Sequence, residues 1–212
     1  MIFRTHKIKR TFTGKYEDYH RYKPYLAEDF SHRCAYCNLR DQDVTTYFEV
    51  DHFVPQAEIK RHKGHEYLIK DYENLIYSCK SCNAAKSDLF EGDILLDPYN
   101  NARFYDPVKI DYNTVFYRDK HGTIASRDGK GRTSIIDLKL YRPIHNLAWI
   151  CEQLDYIINE LEEKINQETN QGKIDLFKDA RYKALDYHKK CRDLFIASYN
   201  SNMKISEFFD KI

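Results

Sequence analysis

Two Cys-x-x-Cys pairs, CAYC at Cys34–Cys37 and CKSC at Cys79–Cys82, stand 41 residues apart and constrain the fold more than any other feature of this 212-residue chain. Each pair puts two thiols on one tight turn, close enough to share a metal ion. For both pairs to share it, the chain between them must fold back on itself. Four thiolates converging as a tetrahedron are what a structural Zn²⁺ prefers, with no coordination position left for a substrate. The binding energy of such a site becomes folding energy. Two redox dithiols or an iron–sulfur cluster are the alternatives, but a thioredoxin-like use of the motif goes with a βαβ pattern that this sequence lacks. The remaining cysteines, Cys151 and Cys191, lie in segments of helical periodicity and read as small apolar core residues.

The segment held by this staple contains FEVDHFVPQA, Phe48–Ala57, in which a strand gives out at Asp51 and His52. Adjacent residues on a strand point to opposite sides. Asp51 is a hard oxygen donor suited to Mg²⁺ or Mn²⁺, and an imidazole such as His52 acts as a base near neutral pH. A metal, a base and a scaffold that aligns them are the three needs of phosphodiester hydrolysis. Pro55 helps end the strand so that both side chains are presented. A lone Asp-His pair is more often structural; this one is singled out by lying between two knuckles. Further along stand Asn74 in YENLIYSC and Asn83 and Lys86 in CNAAKSD. His62 and His65 read as surface-loop residues, and Lys60, Arg61, Lys63 and Lys70 make that loop a basic edge suited to DNA.

Taken together, CAYC … FEVDHFVPQ … YENLIYSCKSCNAAKSD resembles the HNH endonucleases, whose ββα-metal core here would be stapled by a four-cysteine zinc site. The resemblance covers Cys34 to Asp88. A weaker echo continues through ILLDP (Ile94–Pro98) and TSIIDLKLYRP (Thr133–Pro143), segments of a kind that follow the core in bacterial HNH proteins, some of them linked to phage defence. The resemblance implies a metal-dependent enzyme that hydrolyses double-stranded DNA, with His52 activating water. Asp51 and Asn83 would bind the catalytic Mg²⁺ or Mn²⁺, and Asn74 would fix the loop that orients His52. Lys86, three residues after Asn83 and so on the same helix face, would reach the scissile or a neighbouring phosphate, an anion that a helix N-terminus also favours. The third HNH position, commonly histidine, is Asn83 here, making the chain an HNN variant. An amide oxygen is a harder ligand than imidazole, which shifts preference toward Mg²⁺ or Mn²⁺ and away from Zn²⁺ or Ni²⁺.

At 42% apolar and 32% charged residues the chain reads as globular. The expected class is α+β in four segments: a basic aromatic N-terminal segment (1–30), the zinc-stapled HNH core (31–95), a β-hairpin and loop extension (96–133) and a helical region (134–212). Arg4, Lys7, Lys9, Arg10, Lys15, Arg21 and Lys23, threaded with Phe12, Tyr16, Tyr19 and Tyr22, read as a solvated lead-in or as a surface for phosphates and bases. DYNTVFYRDKHGTIA predicts two short strands turning at His121-Gly122, and SRDGKGRT (Ser126–Thr133) a flexible loop. Apolar stripes from Leu147 to Ile165 and from Leu176 to Phe195, broken at Asn170-Gln171-Gly172, predict an antiparallel helical hairpin. Its role is core support or the docking of a regulatory partner such as an ATPase. The net charge of +1 makes a partner that supplies affinity for DNA attractive. A non-catalytic zinc-stapled nucleic-acid-binding module is the competing reading. No apolar run approaches the roughly 18 residues of a membrane span, and no secretory signal is recognisable, so a cytoplasmic setting with reduced thiols is expected.

Overall fold

Four-residue strands are too short to be stable by themselves, and the central hairpin rests on a second strand that is wholly buried and a first strand buried at its end. In the computed structural model, which describes residues 1–201, strand β1 (Glu49–His52) pairs antiparallel with β2 (Leu75–Ser78), Asp51 opposite Ile76 and His52 opposite Leu75. Every residue of β2 is buried. Helix α1 (Lys23–Asp29), opened by Pro24 in its first turn, packs Leu26 and, just beyond its end, Phe30 into the same core. Between the strands, Pro55 in extended conformation caps the short α2 (Gln56–Ile59), and 3-10 turns follow at Glu66–Ile69 and Tyr72–Asn74. Only Cys79 separates β2 from α3 (Lys80–Lys86). Helices and antiparallel strands thus mix in an α+β arrangement.

The chain divides into two compact units, Met1–Tyr141 and Arg142–Ile212. In the first, part of the basic N-terminal segment is built into the fold, through its rings and two of its arginines, while Lys7, Lys9, Lys15 and Arg21 stay exposed. Phe3 is buried against Tyr112 and Phe116, and the Asn113 side chain bonds the backbone of Phe3 and Arg4. The Arg4 guanidinium lies 4.0 Å from the Tyr112 ring centre, and burial lowers its pKa to about 10. Arg10 donates to the carbonyls of Glu73 and Leu75, at 3.2 and 2.6 Å. Phe12, Tyr16, Tyr22, Tyr25 and Tyr72 form one aromatic cluster.

After the short α4 (Tyr112–Val115), β3 (Phe116–Arg118) and β4 (Ile124–Ser126) pair around a turn in which Gly122 has φ of 79°. A residue without Cβ takes this left-handed conformation without steric cost. The segment read as a loop from Ser126 to Thr133 instead starts a helix, α5 (Gly129–Asp137). Asp128 caps it by accepting from the Gly131 N–H at 2.7 Å, and Ser134 inside it bonds the Arg103 carbonyl. Two glycines at the helix start masked the cap, since glycine disfavours helix while tertiary anchoring compensates.

The second unit holds α6 (Pro143–Gln167) and α7 (Gln171–Ser201). They run antiparallel: Arg181 pairs with Glu162 and His188 with Asp155, so numbers rise along one helix as they fall along the other. Cys151 and Cys191 are buried, but Leu176 and Leu185 of the expected stripe are exposed. Residues 202–212 of the expected helical region lie outside the described residues. No described helix is long and apolar enough to cross a membrane.

Asp29 ties three parts of the first unit together. Its carboxylate accepts from the Thr11 N–H and hydroxyl on one oxygen and from the Tyr72 hydroxyl on the other, while the residue is 4% exposed. Asp29→Ala leaves these donors without their acceptor and is expected to lower stability by about 2–3 kcal/mol, read as a lower urea midpoint with an unchanged slope.

Candidate active site

The local backbone explains why the two cysteine pairs meet. In the first knuckle the Asn38 N–H bonds the Cys34 carbonyl and Asn38 takes a left-handed φ of 67°, a conformation that asparagine tolerates better than most residues. The Ala35 N–H bonds the Tyr77 carbonyl at 2.9 Å, docking this knuckle on β2. The second knuckle starts where β2 ends and closes inside the first turn of α3. All four thiols are buried, none is in a disulfide, and their sulfur atoms lie within 4.8 Å of one another. Cys37 Sγ and Cys79 Sγ are 3.8 Å apart, which matches the roughly 3.8 Å edge of a tetrahedron with metal–sulfur bonds of about 2.3 Å. Burial opposes charge on Cys34, yet hydrogen bonds from Cys37, Cys79 and Cys82 outweigh it and hold that thiol well below its usual range. Hydrogen bonding to Cys34 pushes Cys79 and Cys82 well up. The set fits a structural metal ion, whose charge would let all four ionise together.

Asp51 and His52 diverge at the end of β1. The His52 ring is held from the loop side: Nε2 lies 3.0 Å from the Ile69 carbonyl, and the ring of Tyr19 meets it edge-on with centres 4.7 Å apart. A carbonyl only accepts, so Nε2 carries the proton and Nδ1 keeps a lone pair. The amide nitrogen of Gln56 stands 3.5 Å from each ring nitrogen. Burial lowers the His52 pKa, which keeps the imidazole neutral and able to take a proton near pH 7. Asn74, wholly buried, accepts from the Val54 N–H at 2.8 Å and donates to the carbonyls of Val54 and Leu68 at 3.2 and 3.0 Å. It therefore ties the residue next to Ile69 to the chain just after His52.

Asp51 faces the other way. Its Oδ1 takes a hydrogen bond from Lys86 Nζ at 3.1 Å and its Oδ2 one from the Tyr36 hydroxyl at 2.7 Å. Lys86 also donates to the His52 carbonyl at 2.7 Å and is 0% exposed. In this structure the ammonium is turned to Asp51 and the His52 carbonyl, and Lys86 braces the strand end from within. The reason is that α3 follows β2 after a single residue, so its far turn lies over β1. Asn83 donates to Glu49 Oε2 at 2.6 Å, leaving its own Oδ1 as the amide atom open to a cation. Glu49 and Asp51 share one face of β1, Asn83 and Lys86 one face of α3, and the two pairs form a polar seam between strand and helix.

Sequence reasoning missed Tyr36 and Glu49. Glu49 sits two residues before Asp51, a spacing that places it on the same strand face. Tyr36 had no such signal, since its contact spans 15 residues. His62 pairs with Glu58 of α2.

Cys82→Ala is expected to reduce the single tightly bound transition-metal ion per chain and to lower Tm by on the order of 10 °C, as a shift of several kcal/mol does in a domain of this size. Elemental analysis and thermal melts would check it.

Residues 34–89 match the family model of the HNH endonucleases. The Septu protein PtuB of Bacillus thuringiensis is 35% identical over 68 residues, 30% of this chain and 24% of that protein. The chain is therefore aligned with about a quarter of the length of this curated relative. No solved structure matches the chain. The two knuckles, β1, β2 and α3 all fall within the matched residues, and residues 34–89 constitute an HNH endonuclease domain.

Proposed function

We propose that the chain is a metal-dependent endonuclease that hydrolyses DNA phosphodiester bonds in anti-phage defence. The single observation that carries the chemistry is the pinned His52 ring, which gives its Nε2 proton to the Ile69 carbonyl and keeps a lone pair on Nδ1, one residue after Asp51 at the end of β1. His52 Nδ1 takes a proton from the attacking water as its oxygen bonds phosphorus and the 3′ oxygen leaves, so that a 5′-phosphate results. Ile69 stabilises the imidazolium that forms, and Asn74 keeps Ile69 in register. Asp51 and the Oδ1 of Asn83 hold a Mg²⁺ or Mn²⁺ ion, which when bound neutralises charge developing on the phosphate. The knuckle cysteines hold Zn²⁺ as a structural ion. Defence as the setting rests on the likeness to the Septu protein.

A second reading makes the chain the effector subunit of a larger assembly, working under a regulatory partner such as an ATPase that docks on α6 and α7. Its support is the apolar surface these helices leave open, with Leu176 69%, Tyr182 73% and Tyr156 56% exposed, together with a net charge of +1 that gives little electrostatic hold on DNA.

Plasmid nicking tests both. With Mg²⁺ or Mn²⁺ the wild type is expected to cut, and His52→Ala to cut about 10²–10⁴-fold more slowly with its far-ultraviolet spectrum unchanged. Unaltered cleavage by the variant would leave a zinc-stapled binding module as the better account. Activity with Ni²⁺ or Zn²⁺ but none with Mg²⁺ would count against Asn83 as a hard ligand. Cleavage that appears only when neighbouring gene products are added would favour the effector subunit.

A further inference from the structure

The carboxylate of Asp51 is gripped on both oxygens, and each grip is anchored at a cysteine knuckle. Tyr36 lies inside the first knuckle, between Cys34 and Cys37, and is 1% exposed. Its backbone is not free to drift: the Cys34 N–H bonds the Leu39 carbonyl, the Asn38 N–H the Cys34 carbonyl and the Ala35 N–H the Tyr77 carbonyl, each at 2.9 Å. From this frame the phenol reaches Asp51 Oδ2 at 2.7 Å. On the far side Lys86 Nζ, four residues beyond Cys82 on α3, reaches Oδ1 at 3.1 Å. A phenylalanine would fill the same space without bringing a polar group into the core, where a hydroxyl is costly unless bonded. A phenol also fixes the direction of the carboxylate while leaving its negative charge intact, which is what a ligand for a hard cation requires. The ammonium of Lys86 bonds the carboxylate too, but it opposes a second cation.

Resting on the reading of Asp51 as a ligand of the catalytic cation, we propose that Tyr36 is a positioning residue through which the tetrathiolate knuckle sets the affinity of Asp51 for that cation. The two metal sites of the domain are then coupled: a knuckle that loses its ion releases the phenol, and the carboxylate loses its direction before the hairpin itself comes apart. Outer-sphere hydrogen bonds of this kind commonly hold a ligand's orientation and raise metal affinity.

The test is Mn²⁺ titration of the full-length, zinc-loaded chain, with free Mn²⁺ read by electron paramagnetic resonance, for the wild type, Tyr36→Phe and Asp51→Ala. Tyr36→Phe is expected to keep its knuckle ion and bind Mn²⁺ roughly tenfold more weakly, while Asp51→Ala binds none. Equal or tighter Mn²⁺ binding by Tyr36→Phe, with Asp51→Ala still inert, overturns the role of Tyr36 and leaves Asp51 as a ligand. Undiminished Mn²⁺ binding by Asp51→Ala removes the cation site itself and the coupling with it. A second measurement needs no variant to fold: with Co²⁺ in the knuckle, read by its cobalt–thiolate absorbance and withdrawn by a chelator, saturating Mg²⁺ is expected to tighten the hold on Co²⁺ by the same factor. Co²⁺ affinity that does not change at saturating Mg²⁺ overturns the coupling.

Discussion

The sulfur atoms of Cys34, Cys37, Cys79 and Cys82 converge within 4.8 Å of one another, and the geometry of the domain follows from that convergence. The second knuckle is the direct continuation of β2, and the first is docked on β2 through the Ala35–Tyr77 hydrogen bond. Joining them therefore fixes where β2 ends, how α3 departs, and which face of β1 lies under it. A two-stranded hairpin of four-residue strands has little stability of its own. A metal ion held by the four sulfur atoms would add stability at this point.

From that frame the two neighbours Asp51 and His52 acquire different surroundings. The strand pleat sends them apart, one toward α3 and the first knuckle, the other toward the loop ending at Ile69. The carboxylate meets an ammonium and a phenol, one on each oxygen. The imidazole meets a carbonyl and aromatic edges, and burial keeps it neutral. Two titratable groups one residue apart are thereby given different surroundings.

Much of this site was legible beforehand because its chemistry is written in short spacings. The Cys-x-x-Cys pairs, the Asp-His at a strand end and the Asn83 and Lys86 spacing are local patterns. The helical hairpin was legible for the same reason, through stripes of three- and four-residue period. What stayed hidden involved long separations or weak local preference. The N-terminal basic residues read as a solvated lead-in or as a surface for phosphates and bases, yet Arg10 among them serves the carbonyls of Glu73 and Leu75, about which its own neighbours carry no information. The start of α5 looked like a loop because Gly129 and Gly131 lower helix propensity, which the Asp128 cap and the Ser134–Arg103 bond overcome.

The sequence by itself determined the ligand set of the staple, the residue types available for a hydrolytic centre and the class of the fold, because each is a matter of which side chains exist and how closely they are spaced. Only the tertiary structure decided what each of them faces. It turned Lys86 inward as a brace, joined Glu49 to Asn83 across the strand–helix seam, and set the phenol of Tyr36 on Asp51. Such contacts depend on the angle at which a helix leaves a strand and on burial, and neither is recorded in the order of residues along either element.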